Sequence, residues 1–189
     1  MRRRTRPVLA AAVWAVCASL AHATPKADRA PEVPPNLSVP AGNEPIFHAR
    51  ATGVHIYVCN PGATDPAQFA WSFKAPEAKL LDARGKVVGS HYAGPTWEST
   101  SGSKVVGTML QNAPAPDAAA IPWLLLQAKS TTGPGVFERV TFVQRVRTGG
   151  GKAPATGCDA GAAGREVRVP YTAEYFFYGS AAAPRVSAR

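Results

Sequence analysis

A phrase that occurs twice constrains the fold of this chain more than any other feature. Lys-Val-Val-Gly stands at residues 86–89 and again at 104–107, and a glycine-containing turn precedes each copy. Between the copies lies HYAGPTWE at residues 91–98, whose Gly94-Pro95 pair is typical of a tight turn. This pattern predicts an antiparallel meander with strands over residues 86–92, 96–99 and 104–110.

The remainder of the chain also reads as short strands. Further apolar or alternating segments recur at spacings of about 8–12 residues, and they cover residues 54–59, 68–73, 121–126, 137–148 and 167–178. Residues 75–79 alone favour a single helical turn, because Pro76 and Glu77 suit a helix start. We therefore predict an all-β, single-domain antiparallel sandwich or barrel over residues 46–179, with long Pro/Gly loops.

Two strands have assignable faces. In the first, Val54, Ile56 and Val58 alternate and are predicted to lie on one face of the strand. In the strand over residues 137–148, Gln144 shares the apolar face. Because an unpartnered buried glutamine costs about 1–3 kcal/mol, we expect Gln144 to hydrogen-bond a loop backbone rather than a ligand.

The N-terminal residues predict export. A basic start at residues 2–6 precedes an apolar run at 8–20 that is too short to span a bilayer. Ala21-His22-Ala23 then matches a signal-peptidase site, so residues 1–23 are predicted to be a signal peptide. Residues 24–45 form a Pro-rich linker or an arm over the domain, and residues 180–189 a disordered tail. We expect a periplasmic or extracellular protein.

Removal of the signal peptide simplifies both cysteine content and charge. Of three cysteines, Cys59 and Cys158 remain, and an oxidising compartment favours a disulfide between them. Four arginines leave with the signal, so the formal charge falls from +9 to +5. The remaining basic residues are scattered, and we therefore expect no nucleic-acid partner. We also expect a protein that does not span the membrane.

Several peptides together resemble a known family. HYAGPTW, IPWLLL, VTFVQRV and VPYTAEYFFY, in this order, are similar to a family of secreted bacterial and fungal proteins catalogued as domain of unknown function 3455. The resemblance covers residues 46–178 and implies no activity, substrate or catalytic residue. The chain has no strand–GxGxxG–helix unit. We expect no cofactor.

The peptide between the two copies holds the best candidate catalytic site. His91 can transfer protons, and Glu98 could orient it or act with it if the hairpin brings the two together. In the structural alternative, Gly94-Pro95 only shapes the turn, Trp97 fills the core and Glu98 pairs with a surface lysine. That alternative is favoured on the sequence.

Aromatic residues offer a candidate ligand-binding face. Tyr92, Trp97, Trp123 and Tyr171 could pack on a carbohydrate or cell-wall polymer, and Tyr92 and Trp97 are the candidates retained. We expect Trp97 to be accessible, and Trp71 and Trp123 to be buried in apolar strands. A metal site is not predicted, because the histidines never occur as HxH or HxxxH. His55 becomes a ligand candidate if it shares a face with Tyr57, although a half-exposed strand histidine is commoner.

Two functional classes remain open from the sequence. The first is a secreted binding or structural module, for example for carbohydrate or a cell-wall component. The second is a hydrolase-like enzyme that uses His91 and Glu98. An enzyme requires these two side chains to converge in a concave pocket, whereas a module of the first kind requires exposed aromatic residues on a flatter face.

Overall fold

The computed structural model describes residues 29–181, so the predicted signal peptide and most of the predicted tail lie outside the described residues. Eight antiparallel strands form a closed barrel in which neighbours in sequence are neighbours in space, and β1 closes against β8. The strands are β1 Asn43–Pro61, β2 Phe69–Leu81, β3 Val87–Tyr92, β4 Thr96–Ser99, β5 Lys104–Ala113, β6 Trp123–Thr132, β7 Val140–Gly150 and β8 Glu166–Ser180.

The all-β prediction is confirmed, and of its two architectures the barrel is formed. Within residues 29–181 the helical elements are two single 3-10 turns, Pro35–Leu37 and Ala160–Ala162. No helix in this range is long and apolar enough to cross a membrane. The long strand β1 pairs with β2 over residues 50–61 and with β8 over residues 43–58, and register shifts interrupt each ladder. Such bulges increase strand twist, which helps a sheet to close on itself.

The helical turn predicted at residues 75–79 is wrong, because these residues belong to β2. Pro76 pairs with His55 of β1, whereas the ladder between β2 and β3 begins only at Ala78. Proline is tolerated in a sheet where one side of its strand has no ladder partner. Pairing with β1 therefore overrides the local helical preference.

The duplicated phrase forms two strands on either side of β4. Its two copies contribute the first half of β3 and the start of β5, and both strands pair with β4. The glycine of each copy is required by close packing. A Cβ on Gly89 would lie 2.4 Å from the Glu98 carbonyl oxygen, and one on Gly107 would lie 3.0 Å from Cζ3 of Trp97. The repeated glycines thus allow the residues of β4 to approach both neighbours.

One end of the barrel interior is filled by apolar side chains. They come from β1, β4, β7, β8 and the β6–β7 connection, and they include Phe47, Trp97, Phe137, Val143 and Phe177. Phe177 contacts both Phe47 and Phe137, with ring centroids 5.6 and 4.7 Å apart. This end of the interior is a packed core, and it leaves the opposite end as the place where a ligand could enter.

The described part of the Pro-rich segment lies against the outside of the barrel. Leu37 is fully buried there, and its carbonyl accepts a hydrogen bond of 2.6 Å from Nε2 of Gln144. Tyr178 Oη donates to Oε1 of the same glutamine at 2.5 Å. The prediction that Gln144 binds a loop backbone is confirmed, and residues 29–42 are an arm on the barrel wall.

The predicted disulfide between Cys59 and Cys158 is present. It attaches the connection between β7 and β8 to the end of β1. Two backbone hydrogen bonds of 2.9 Å support this attachment, from Gly164 N–H to Cys59 O and from Cys59 N–H to Arg165 O. Disulfides of this kind are typical of proteins in oxidising compartments.

Candidate ligand-binding pocket in the barrel

A cavity of about 260 Å³ occupies the end of the barrel interior opposite the packed core. It forms because the β3–β4 hairpin is short and turns at Gly94-Pro95, whereas β2 and β5 continue beyond it. The hairpin turn therefore lies at the rim of the cavity. Phe73 of β2 and Met109 of β5 stand at the mouth, with 53% and 54% of their surfaces exposed.

The walls of the cavity are mainly apolar, with a few polar groups among them. Leu124 and Leu126 of β6 form one wall, and Pro76 of β2 contributes to another. The polar or ionisable residues in the lining are His55, Lys74, His91, Trp97, Arg145 and Tyr175. Apolar walls with a small number of placed polar groups are typical of small-molecule sites.

Four buried side chains at this end carry polar atoms without a hydrogen-bond partner among the residues the structure describes. They are both ring nitrogens of His55, Nε1 of Trp97 and the hydroxyls of Tyr171 and Tyr175. The hydroxyls of Tyr171 and Tyr175 interact electrostatically with each other, and that of Tyr175 also interacts with the Arg145 guanidinium. Neither hydroxyl has a partner with hydrogen-bond geometry in the described part of the chain. Because buried polar atoms are nearly always paired, this concentration is unusual, and three of the four side chains, His55, Trp97 and Tyr175, line the cavity.

Arg145 brings a positive charge into the same cavity. Its side chain is only 9% exposed. Nε and Nη2 donate hydrogen bonds of 3.2 and 2.8 Å to the Pro122 carbonyl oxygen. Within residues 29–181, no aspartate or glutamate forms an ion pair with it. The guanidinium is held in place by a backbone carbonyl, and its remaining N–H donors stay available.

His91 lies in the wall of the cavity as a neutral imidazole that donates through Nδ1 and can accept through Nε2. Burial is the main reason that its pKa is lowered to about 3. Its Nδ1–H donates to the Thr96 carbonyl oxygen at 2.8 Å, because a carbonyl can only accept. The neutral ring therefore has its proton on Nδ1 and a lone pair on Nε2.

His55 lies between aromatic rings in the same region. Its ring centroid is 4.5 Å from that of Tyr171 and 4.7 Å from that of Phe73. Burial, and secondarily the charge of Arg145, lower its pKa to about 4, although the nearby Gly151 carbonyl acts in the opposite direction. That carbonyl accepts its hydrogen bond from Tyr57 Oη at 2.6 Å. His55 is thus a neutral ring near neutral pH, and it shares the inner face with Tyr57.

The structure separates the two candidate catalytic residues. In the β3–β4 register His91 faces Trp97, and Ser90 faces Glu98. Since alternate residues of a strand point to opposite faces, His91 and Trp97 point into the barrel and Glu98 points outward. The convergence of His91 with Glu98 that the enzyme alternative requires does not occur.

Outside the barrel, Glu98 has ordinary surface partners. Tyr92 Oη donates to Glu98 Oε2 at 2.7 Å, and Lys104 Nζ lies 3.3 Å from Oε1. The hydrogen bond from Tyr92, ahead of the effect of Lys104, lowers the pKa of Glu98. This is the arrangement of the structural alternative, in which Glu98 pairs with a surface lysine.

The expected exposure of the tryptophans is reversed. Trp97 is 1% exposed, whereas Trp71 and Trp123 are only half-buried. Trp97 cannot share an exposed face with Tyr92, because their side chains lie on opposite sides of the barrel wall. The flat aromatic platform expected for a polymer is therefore not formed around these two residues.

Sequence reasoning missed Arg145 and Tyr175 as site residues. The apolar face that it identified on β1 carries Ile56, which is buried, yet His55 and Tyr57 on the other face are the residues that line the cavities. The one sequence feature that could have identified this face is that His55 and Tyr57, two residues apart, lie on the same side of the strand. An arginine inside a barrel has no comparable signal in its sequence neighbours.

The histidines of the cavity do not form a metal centre. Within the described part of the chain, no group of three His, Cys, Asp or Glu side chains is placed to hold a metal ion. The polar groups that line the cavity are mostly N–H and O–H donors, and they suit an acceptor-rich organic group better than a cation.

Together, these features define an eight-stranded antiparallel β-barrel with a cavity at one end of its interior. Residues 40–179 match the family model described as "Protein of unknown function (DUF3455)", and the chain belongs to this family. The match begins just before β1 and ends one residue before the end of β8, so it covers nearly the whole barrel. No curated protein and no solved structure matches the chain.

Proposed function

We propose that this protein is an exported binding protein that encloses a small organic molecule in one end of its barrel. The observation that carries the proposal is the cavity of about 260 Å³, whose lining includes His55, Trp97 and Tyr175, side chains with buried polar atoms that have no partner in residues 29–181. Eight strands enclose an interior that is either filled by side chains or holds one small ligand. This barrel is filled at one end only.

The energetics favour a ligand over a purely structural role. Each buried donor or acceptor without a partner costs about 1–3 kcal/mol, and three side chains of the lining, His55, Trp97 and Tyr175, carry such atoms within residues 29–181. A ligand that pairs with these atoms recovers that free energy on binding. The exposed Phe73 and Met109 at the mouth provide apolar surface for its entry.

Binding is favoured over the hydrolase alternative by the position of Glu98. That alternative needs a carboxylate beside His91, and Glu98 lies on the outer surface with Lys104. A flat polymer site is also disfavoured, since Trp97 lies inside the barrel. Export is supported by the predicted signal peptide and by the disulfide between Cys59 and Cys158.

A thermal-shift screen of small aromatic and aliphatic compounds tests the proposal. Ligands should raise the melting temperature of the wild type, and Met109→Trp, which places a larger ring at the mouth, should reduce the shift. Leu110→Trp is the matched control, because Leu110 is the next residue of β5 and is similarly exposed. A screen without any stabilising compound, or equal shifts in both variants and the wild type, would contradict the proposal.

A further inference from the structure

The charged residues of the cavity indicate the charge of the molecule that it can bind. Arg145 is buried in its wall, and in residues 29–181 no carboxylate pairs with it. The other cation of the lining, Lys74, lies on the mouth side and forms an ion pair with Glu166. A buried cation without an anionic partner is strongly destabilising. The interior therefore offers one positive charge for one negative charge.

Hydrogen-bond donors accompany this charge. The indole Nε1 of Trp97 can only donate, and it has no acceptor among the described residues. The hydroxyl of Tyr175 is likewise unpaired there, and Tyr175 interacts electrostatically with Arg145. The ring centroids of Trp97 and Tyr175 are 5.4 Å apart. Donors from three strands thus surround the same part of the cavity.

The positive charge of Arg145 affects the two histidines of the cavity. It contributes, after burial, to the lowered pKa values of His55 and His91. Both histidines are therefore uncharged near neutral pH, and neither adds a second positive charge to the site. This supports a monoanion rather than a dianion as the group that binds.

We propose that the ligand is a small organic monocarboxylate whose head group binds Arg145, Trp97 and Tyr175 and whose apolar body lies against Leu124 and Leu126. This inference rests on the proposed function, and it adds the chemical class of the ligand. A guanidinium is planar and presents paired N–H donors that match a carboxylate. The apolar walls exclude a ligand that consists of the charged group alone.

Calorimetric titration of the purified protein with matched acid–amide pairs tests the inference. The pairs are 3-phenylpropionate with 3-phenylpropionamide, and octanoate with octanamide. We expect each acid to bind roughly ten- to hundredfold more tightly than its amide, as a hydrogen bond to a charged group implies. Arg145→Met should remove this preference, and Arg145→Lys, which keeps the charge, should retain part of it.

Two further variants protect the test against a folding defect. Tyr175→Phe removes a hydroxyl that is unpaired within residues 29–181. It should therefore leave the melting temperature unchanged and lower the affinity for the acids but not for the amides. Arg147→Met is the matched control on the same strand, since Arg147 points outward, is 55% exposed and pairs with Glu174. It should leave both acid and amide affinities unchanged.

The outcomes separate the two proposals. Equal binding of acid and amide, or an unchanged preference in both Arg145→Met and Tyr175→Phe, would overturn carboxylate recognition and leave the small-molecule site standing. Binding of the amides alone would have the same meaning. If none of the four compounds binds the wild type, the inference is overturned, and the thermal-shift screen then decides the fate of the proposed function separately.

Discussion

The rings of His91 and Trp97 stack across the β3–β4 hairpin, with centroids 4.5 Å apart and planes inclined by 10°. Tyr175 contacts both rings edge-on, at 5.1 Å from His91 and 5.4 Å from Trp97. These three rings separate the packed core from the cavity. The same side chains therefore contribute to stability and to the proposed site, and the two roles have to be measured separately.

Trp97→Ala should lower the free energy of unfolding by about 3–5 kcal/mol, as expected for deletion of a fully buried aromatic ring. Urea denaturation measures the loss. Trp71→Ala is the control, because Trp71 is half-buried and donates its indole N–H to the Thr156 carbonyl at the surface, and it should cost less. A loss at Trp97 no larger than that at Trp71 would contradict the packing described for the barrel interior.

Gly107→Ala should destabilise the protein by about 1–3 kcal/mol, the usual range for overpacking a core. The added Cβ would lie 3.0 Å from the Trp97 ring and 3.3 Å from Leu126, and both neighbours are buried. In a double-mutant cycle with Trp97→Phe, whose smaller ring lacks the clashing atom, the two losses should be less than additive. Strict additivity would show that the close approach of Gly107 to Trp97 does not limit packing.

Stability should fall as the pH is lowered below about 6.5. Burial lowers the folded-state pKa to about 4 for His55 and to about 3 for His91. Below the unfolded value of 6.5 the unfolded chain therefore binds more protons than the folded one. Each histidine costs up to about 1.4 kcal/mol per pH unit until its folded pKa is reached.

Urea melts of wild type and His55→Phe between pH 8 and pH 4 measure this dependence. Below pH 6.5 the slope of the unfolding free energy against pH should be smaller in the variant, by the uptake of about one proton on unfolding. From pH 7 to 8 the difference in stability between the two proteins should stay constant. Parallel curves over the whole acidic range would contradict the burial of a neutral His55.

Gln144→Ala should loosen the N-terminal arm from the barrel. The substitution removes the donor to Leu37 O and the acceptor of Tyr178 Oη, and each buried group left unpaired costs about 1–3 kcal/mol. Limited proteolysis should cut within residues 29–42 faster than in the wild type. Gln127→Ala, an exposed glutamine on β6, is the control. Equal cleavage rates in the two variants would show that Gln144 does not hold the arm.

The local features of the fold were predictable because they depend on neighbours in sequence. The hairpin strands at 87–92 and 96–99 follow from the Gly94-Pro95 turn between them. The helical turn at 75–79 failed because β1 and β2 pair over residues far apart in sequence. Closure into a barrel depends on the pairing of β1 with β8, and local patterns carry no information about that contact.

The site was only partly predictable, for a reason that lies in the two faces of each strand. On β7 the apolar pattern indicated the face of Gln144, and that face is indeed buried, but under the arm. The opposite face, with Arg145, is buried too, inside the barrel. When both faces are covered, period-2 alternation cannot tell the interior from the covered exterior. His91 was identified because the sequence of its hairpin is unusual. Its assumed partner Glu98 is one residue away from the position opposite His91, and its side chain therefore lies on the outer face.

The indole N–H resonances of the tryptophans test the central claim most directly. Of four tryptophans, Trp14 belongs to the predicted signal peptide, which leaves Trp71, Trp97 and Trp123 in the rest of the chain. Both Trp97 and Trp123 have unpaired Nε1 atoms within residues 29–181, but Trp123 packs with the arm residues outside the barrel. It is therefore an internal control for ligand binding.

The measurement is a ¹⁵N–¹H correlation spectrum of tryptophan-labelled protein during titration with 3-phenylpropionate, with assignment by single Trp→Phe variants. We expect the Nε1–H resonance of Trp97 to shift downfield and saturably, as an N–H that gains an acceptor does, while those of Trp71 and Trp123 stay in place. A saturable titration that moves Trp71 or Trp123 and leaves Trp97 unchanged would contradict a binding site inside the barrel.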